Sequence, residues 1–311
     1  MILKRIVITG GTGFVGRMLC ERLMAANAQT RLVVPTRRWP NARSVQLLPT
    51  VDVLRCDVHD PAAVTALLTG ADALVNLVAI LHGNEQAFDH AHVQLPRLLA
   101  AACSAAGVRR VVHVSALGVS ADAPSAYLRS KSGGEAVWQQ AAQLHGLDIS
   151  LLRPSVIFGA QDQFTNLFAQ LQRLLPLLPL AGANAQFQPV WVGDVAQAIV
   201  TCLQDPAAAQ TVLECAGPEV LTLRQIVQQV GAMAGRPRPV LALPEGLGLL
   251  QARLMGLLPG PPLMSADNVL SMRVPNVAGG QLPGLASLGI EASPLAIMAP
   301  HFAAARPAYR F

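Results

Sequence analysis

The chain has 311 residues, 52% of them hydrophobic and only 13% charged, about half the roughly 25% of an average soluble domain, and its mean hydropathy is +0.41. That much apolar surface outweighs the ordering entropy of folding and excludes intrinsic disorder, while five cysteines without a CxxC spacing argue against a zinc or disulfide scaffold and fit a reducing compartment. The net charge of +5 resides in the first 60 residues, which hold nine basic and four acidic groups; this is a local anion site, not the long basic stripe with interleaved aromatics that nucleic acid needs.

Strand-like sequence begins at Lys4, leaving no room for a signal or transit peptide, so the expected location is the cytoplasm. Short, near-continuous apolar runs predict strands at Arg5–Thr9, Arg31–Pro35, Val51–Arg55, Ala73–Val78, Arg110–Ser115 and Asp148–Arg153. Helical patterns lie between them near 14–26, 61–69, 86–106 and 125–145. Such alternation reads as an α/β fold, a doubly wound parallel sheet of the Rossmann kind. The second half is less regular. Phe164–Leu175, Asp194–Leu203, Leu223–Met233 and Leu247–Leu258 look helical, with short strands near 187–192, 211–215 and 238–243. Asp194 followed by Gln197 has capping-box spacing and is expected to start its helix. The expected division is a dinucleotide-binding core over 1–160 and a smaller C-terminal α/β lobe over 161–311, interleaved with the core and serving a substrate or partner.

The two greasiest stretches do not read as membrane spans, which need about 20 consecutive apolar residues. Asn166–Ala185 carries Arg173, Pro176 and Pro179, and Val240–Met264 carries Pro244, Glu245, Arg253 and the run Pro259-Gly260-Pro261-Pro262. Leu167–Leu180 and Leu247–Met264 suit a greasy pocket, a membrane surface or plain core packing equally.

Thr9-Gly10-Gly11-Thr12-Gly13-Phe14-Val15-Gly16 follows the first strand and opens the first helix. Gly10 permits a tight turn, Gly13 lets backbone approach a pyrophosphate, Gly16 allows close packing, and the helix N-terminus supplies N–H donors. Thr12, Phe14 and Val15 complete this candidate cofactor loop. The end of the second strand reads Val34-Pro35-Thr36-Arg37-Arg38, without the carboxylate that would bind an NAD ribose. Arg37, with Arg38, can fork onto a 2′-phosphate, so NADP(H) is preferred over NAD(H). Asp57 and Val58 are expected beside the adenine, and Leu77, Val78 and Ala79 beside the ribose.

Only two tyrosines and two lysines occur in the chain, and Tyr127-Leu128-Arg129-Ser130-Lys131 joins one of each, a spacing expected by chance about 1% of the time. On a helix the two share a face. A nearby ammonium lowers a phenol pKa, so Tyr127 is a candidate acid/base. Lys131 is also placed to bond ribose, and Ser115 to bond the substrate oxygen. His82, His90 and His92 make a metal site conceivable, but His90 and His92 fall on different helix faces, so pocket-lining or solvated roles are preferred and no metal is expected.

The glycine loop with Ser115, Tyr127 and Lys131 resembles the extended and atypical members of the short-chain dehydrogenase/reductase superfamily, including NAD-dependent epimerase/dehydratase-like proteins. The resemblance implies a Tyr acid/base, a Lys that lowers its pKa and holds ribose, and a Ser that orients substrate. Arg153-Pro154-Ser155-Val156-Ile157-Phe158-Gly159 resembles the segment that lines the nicotinamide end, which adds Pro154, Ser155 and Val156 to the cofactor residues. His92 stands where many of these proteins place a helper Asn. A narrower resemblance covers nearly the whole chain. Val34–Arg37, His113–Ser115, Tyr127–Lys131 with Gly134-Glu135, Phe158-Gly159 with Asp162, Phe164, Asn166 and Phe168, Leu282–Leu285, Leu288–Ile290, Ser293–Leu295 and Tyr309-Arg310-Phe311 are similar to the NADPH-binding accessory subunit family of respiratory complex I and its bacterial relatives. That resemblance implies a tightly held, structural NADPH and a membrane-bound respiratory complex as partner, on the cytoplasmic face of the inner membrane. Two functions follow as expectations: an NADP(H)-dependent oxidoreductase acting on an apolar carbonyl, alcohol or quinone-related substrate, or a non-catalytic, cofactor-stabilised subunit or assembly factor.

Overall fold

The computed structural model describes residues 3–205, 211–255 and 264–304. Seven parallel strands form the central sheet: β1 (Arg5–Thr9), β2 (Arg31–Thr36), β3 (Val51–Arg55), β4 (Ala73–Asn76), β5 (Arg110–Val114), β6 (Asp148–Pro154) and β11 (Val212–Cys215). Their spatial order is β11-β6-β5-β4-β1-β2-β3. Alternate side chains explain why the strands read as unbroken apolar runs. Ile6 and Ile8 face α1 (Phe14–Ala26) and α7 (Val192–Gln204), while Val7 faces the side covered by α4 (Leu95–Ala106) and α5 (Ala126–His145). Both faces are thus dry, and each fully buried aliphatic side chain stabilises by about 1.5–3 kcal/mol.

The second half feeds this core and also builds an outer layer. It supplies β11 and α7, the latter packed on α1. Outside them, β7 (Ile157–Phe158) pairs with β10 (Val190–Trp191), β8 (Leu178–Ala181) with β13 (Val240–Leu243), and β9 (Gln186–Phe187) with β12 (Leu221–Thr222). Around these pairs lie α6 (Thr165–Leu174), α8 (Leu223–Met233), α9 (Glu245–Met255), α10 (Ala266–Ser271) and α11 (Ala299–Ala304). No helix among the described residues is long and apolar enough to cross a membrane.

Besides shifts of one or two residues at other element ends, five boundaries differ from the sequence expectation. The strand expected over 187–192 is split into β9 and β10 by Pro189, which has no N–H for a ladder. β4 stops at Asn76 because the Asn76 side-chain oxygen accepts the Val78 N–H at 3.2 Å and turns the chain. α7 starts at Val192, not Asp194; the Asp194 carboxylate, in the first turn, accepts the Ser293 N–H at 2.7 Å and so anchors the C-terminal segment. The helix expected over Leu247–Leu258 begins two residues earlier, at Glu245, and its last three residues lie outside the described ones, as do Pro259–Pro262 and Tyr309–Phe311.

The fifth difference matters most for the site. The helix expected over 86–106 is three pieces: α3 (Glu85–Asp89), a wide π turn at His90–Gln94, and α4. Pro96 has no N–H to donate to the carbonyl four residues back, that of His92, so the helix loosens there. The freed His92 carbonyl lies against Gly134 of α5, where an added Cβ would sit 2.1 Å from the oxygen. Gly134→Ala is therefore expected to destabilise the fold by about 3 kcal/mol, measured as a lower urea midpoint at an unchanged m-value.

Candidate functional site

Strand order reverses between β1 and β4, because the chain winds outward to β2 and β3 on one side and to β5, β6 and β11 on the other. Crevices at such a switch point, at the carboxyl ends of parallel strands, are where α/β proteins take ligands. Here the loop after β1 meets the loop after β4. Gly10 has φ +75°, and a Cβ on it would lie 2.9 Å from the Leu77 carbonyl carbon. Gly16, in the first turns of α1, is closed down on the Gly11 backbone, where a Cβ would approach to 2.4 Å. Gly11, which the glycine spacing did not single out, is equally constrained: its Cβ would meet the Ile8 carbonyl oxygen and Val34 at 2.9 Å. Gly13 caps α1 without a side chain, and a Cβ there would meet only the Gly10 carbonyl oxygen, at 3.2 Å. The result is a flat backbone cradle at a helix N-terminus, which fits a pyrophosphate.

The other expected cofactor residues are distributed around this cradle. The Phe14 ring lies over Gly159 after β7, and Val15 packs into the core, so the latter offers only backbone to the crevice. The Thr12 carbonyl accepts the Ser44 hydroxyl proton at 3.2 Å. Arg37 and Arg38 are exposed at the end of β2, and neither is in an ion pair among the described residues. Asp57 is exposed and accepts the His59 N–H at 3.1 Å, while Val58, Leu77 and Val78 are half-buried and Ala79 is exposed. Pro154 ends β6. Ser155 and Val156 are already engaged: the Asn276 side-chain oxygen accepts the Ser155 hydroxyl at 2.7 Å and the Val156 N–H at 2.9 Å. Asn276 was invisible in the sequence because its partners lie more than 100 positions away.

Beneath the crevice runs a polar row that sequence reasoning missed. Parallel register brings Thr9, Asn76 and His113 side by side on β1, β4 and β5. The Thr9 hydroxyl donates to the Asn76 side-chain oxygen at 2.8 Å, and the Asn76 amide nitrogen donates to His113 Nδ1 at 3.1 Å. His113 is wholly buried and is held well below the usual imidazole range by that burial and by Lys131.

Ser115 follows β5, and Tyr127 and Lys131 lie one turn apart in the first turns of α5, where Lys131 reaches the end of β5. α5 is started by the Ser125 hydroxyl, which accepts the Leu128 N–H at 3.3 Å. From α10, the Asp267 carboxylate accepts the Ala126 and Tyr127 N–H groups at 2.7 and 3.0 Å. Ser115 Oγ is buried without a hydrogen-bond partner, the kind of orphaned hydroxyl that a bound oxygen would satisfy. Lys131 is 1% exposed, donates to the Val114 carbonyl at 2.7 Å, and is pushed down to about 8 by burial, against the pull of Glu135. Glu135 is itself paired with Arg153 at 2.5 Å. The expected lowering of the phenol is not what this geometry produces: burial pushes Tyr127 up to about 12. The Lys131 ammonium is spent on a backbone carbonyl, and desolvation outweighs its charge.

His92 is buried, and its ring stands edge-on to Tyr127 with centroids 5.6 Å apart. His90, on the other side of the π turn, stacks on His59 at 3.9 Å, so the histidines face apart as expected. Among the described residues no group of three His, Cys, Asp or Glu is arranged to hold a metal.

Burial lowers His92 to about 3, and lowers His113 as well, so unfolding lets both take up protons they refuse when folded. Their stabilising neutrality is fully present above the unfolded pKa of 6.5 and is lost as pH falls below it. Denaturant unfolding is expected to show stability falling by about 1.4 kcal/mol per pH unit for each of the two, below that pH. His92→Gln is expected to reduce that slope by about half.

A family model, the NAD dependent epimerase/dehydratase family, matches residues 6–216. The mouse mitochondrial protein named NADH dehydrogenase [ubiquinone] 1 alpha subcomplex subunit 9 is 31% identical over 303 residues, 93% of this chain and 76% of its own. A ceramide reductase of Caulobacter vibrioides is 27% identical over 79% of this chain and 75% of its own. In fold, a UDP-glucuronic acid 4-epimerase of Bacillus cereus, solved with UDP-glucuronic acid and NAD, superimposes with a TM-score of 0.69 at 18% identity, covering 97% of this chain and 100% of that one. With the glycine cradle at the switch point, Ser115 after β5 and the Tyr127–Lys131 pair on α5, this chain belongs to the NAD dependent epimerase/dehydratase family and, within it, to the relatives of the NADH dehydrogenase alpha subcomplex subunit 9.

Proposed function

We propose that the chain binds NADP(H) and acts as an oxidoreductase on an apolar carbonyl, alcohol or quinone-related substrate. The observation that carries the reading is the orphaned Ser115 hydroxyl after β5, next to the Val114 carbonyl that Lys131 binds. Gly10, Thr12, Gly13, Phe14, Val15 and Gly16 would hold the pyrophosphate, Arg37 and Arg38 the 2′-phosphate, Asp57 and Val58 the adenine side, and Leu77, Val78 and Ala79 the ribose side. Pro154, Ser155 and Val156 would line the far end. A bound nicotinamide supplies or takes the hydride. Ser115 would orient the substrate oxygen by donating to it, Tyr127 would exchange the proton with that oxygen, and Lys131 would bond ribose after release from the Val114 carbonyl. Residues 161–311 would form the substrate or partner lobe.

A second reading, a cofactor-stabilised accessory subunit of a membrane-bound respiratory complex on the cytoplasmic side of the inner membrane, is favoured by a specific pair of observations. The phenol sits near 12 and Lys131 is committed to a backbone carbonyl, so the pair is not poised for proton transfer as it stands. The 31% identity to the NADH dehydrogenase subunit supports it too.

Cofactor analysis of the purified protein, followed by challenge of the bound nucleotide with apolar carbonyls and quinones, separates the two. Oxidation of NADPH that Tyr127→Phe abolishes without loss of binding is expected for the enzyme; NADPH retained and unoxidised across the panel sinks it in favour of the subunit. Arg37→Ala is expected to weaken NADPH binding about tenfold or more and to leave NADH nearly unchanged in a fluorescence titration. Equal affinity of the unaltered protein for NADH and NADPH would overturn the 2′-phosphate assignment.

A further inference from the structure

We propose that His92 is a positioning residue: a neutral imidazole, protonated at Nδ1, that ties the loop after β4 to the Tyr127 turn of α5. Its two ring nitrogens have opposite, non-exchangeable partners. Nε2 lies 3.1 Å from the Ile80 backbone nitrogen, which can only donate, so Nε2 must accept. The ring proton therefore sits on Nδ1 and is given to the Ser130 hydroxyl at 2.8 Å. Ser130 in turn donates to the Tyr127 carbonyl at 2.8 Å. The chain Ile80 N–H, imidazole, Ser130 hydroxyl, Tyr127 carbonyl is thus fully ordered in direction, each donor having one acceptor.

Protonating His92 would set a second N–H against the Ile80 N–H and break the chain at its first link. The charged groups around the ring oppose that event. Lys131, on α5, adds like charge, and His113 on β5 and Tyr127 on α5 carry no negative charge to offset it; Phe88 of α3 covers another face at 5.7 Å. Burial acts in the same direction.

The backbone is arranged to place this ring. Without the π turn that Pro96 imposes, and without the bare Gly134 opposite the His92 carbonyl, the segment could not lie so close to α5. The consequence is mechanical: the loop after β4 at Ile80 and the Tyr127 turn of α5 are held in one register before any ligand arrives. An asparagine at position 92 is too short to reach Ile80 and Ser130 together, which distinguishes this site from the Asn that its resemblance would place there.

The clamp itself is independent of the proposed function, whereas its effect on nucleotide affinity rests on that reading. The test uses the full chain. Nitrogen-15 spectra of His92 are expected to show the Nδ1–H tautomer from about pH 7 down to about pH 5. Hydrogen exchange at the Ile80 amide is expected to speed up about tenfold in His92→Asn, which keeps a donor for Ser130 but loses the acceptor, and to return to within about threefold in His92→Gln, whose oxygen reaches the Nε2 position. NADPH affinity is expected to follow the same order, weakening about tenfold in His92→Asn and recovering in His92→Gln. An Nε2–H tautomer or an imidazolium in the unaltered protein at about pH 6 would overturn the proposal whether or not the variants fold. So would Ile80 exchange that His92→Asn leaves unchanged. If the tautomer and exchange results hold while the unaltered protein binds no NADPH, the dinucleotide reading fails and the clamp stands.

Discussion

The arrangement of this protein depends on β1 and β4 ending at the same level, Thr9 beside Asn76, at the point where the sheet changes winding direction. From that pairing the next residues of both strands must leave the sheet into the same space. Only a chain without side chains can share it with the Leu77 backbone, which is why Gly10 adopts a positive φ and Gly11 and Gly16 lock the turn behind it. The shared level also lets a hydroxyl, an amide and the Nδ1 of an imidazole on neighbouring strands bond in series on the buried floor of the crevice, with His113 Nε2 left unpaired. Most buried polar groups are paired, and the bonds of this row add to the apolar core in holding the strand ends in register.

Charge at the site is governed by burial more than by proximity. With 13% charged residues the interior offers few counter-ions, and those present are paired off: Glu135 with Arg153, Lys131 with a backbone carbonyl. Lys131 and His92 therefore lose affinity for protons, and Tyr127 holds its own proton more tightly. Such a cluster is stiff at rest: an uncharged phenol and an uncharged imidazole beside a Lys131 ammonium tied to a carbonyl. Any role in proton transfer requires an arriving ligand to change the balance, by drawing Lys131 off the Val114 carbonyl or by accepting from the orphaned Ser115 hydroxyl. A holding role requires no such change.

The apolar surplus of the C-terminal half has a structural outlet without a membrane span. β11 and α7 carry part of it into the main core, and α6, α8 and the short strand pairs bury more between them. Part stays exposed: Leu174, Leu177, Leu241, Leu247 and Leu250 show more than two-fifths of their surface. The C-terminal segment does more than cover apolar surface. Asp267 caps the Tyr127 helix, Asn276 closes the end of β6, and Ser293 is pinned by Asp194, so the tail is stitched to the site by hydrogen bonds.

The core strands, the helices after them, the glycine loop and the Tyr127–Lys131 spacing were legible in the sequence because each is written locally, as an apolar run or a fixed spacing. The family resemblance was legible for the same reason, as short motifs in fixed order. The partnerships of Asn76, His113, Asp267 and Asn276 were not, since a polar residue in a sequence does not announce a partner 37 to 141 positions distant. Nor does spacing show that the Lys131 ammonium is turned to a backbone carbonyl or that burial pushes the Tyr127 phenol up. Local chemistry thus determined which elements form and where a dinucleotide loop can lie. Packing decided the rest: burial set the charge states, strand register aligned the polar row, and Pro96 with Gly134 turned an ordinary-looking helical histidine inward to the site.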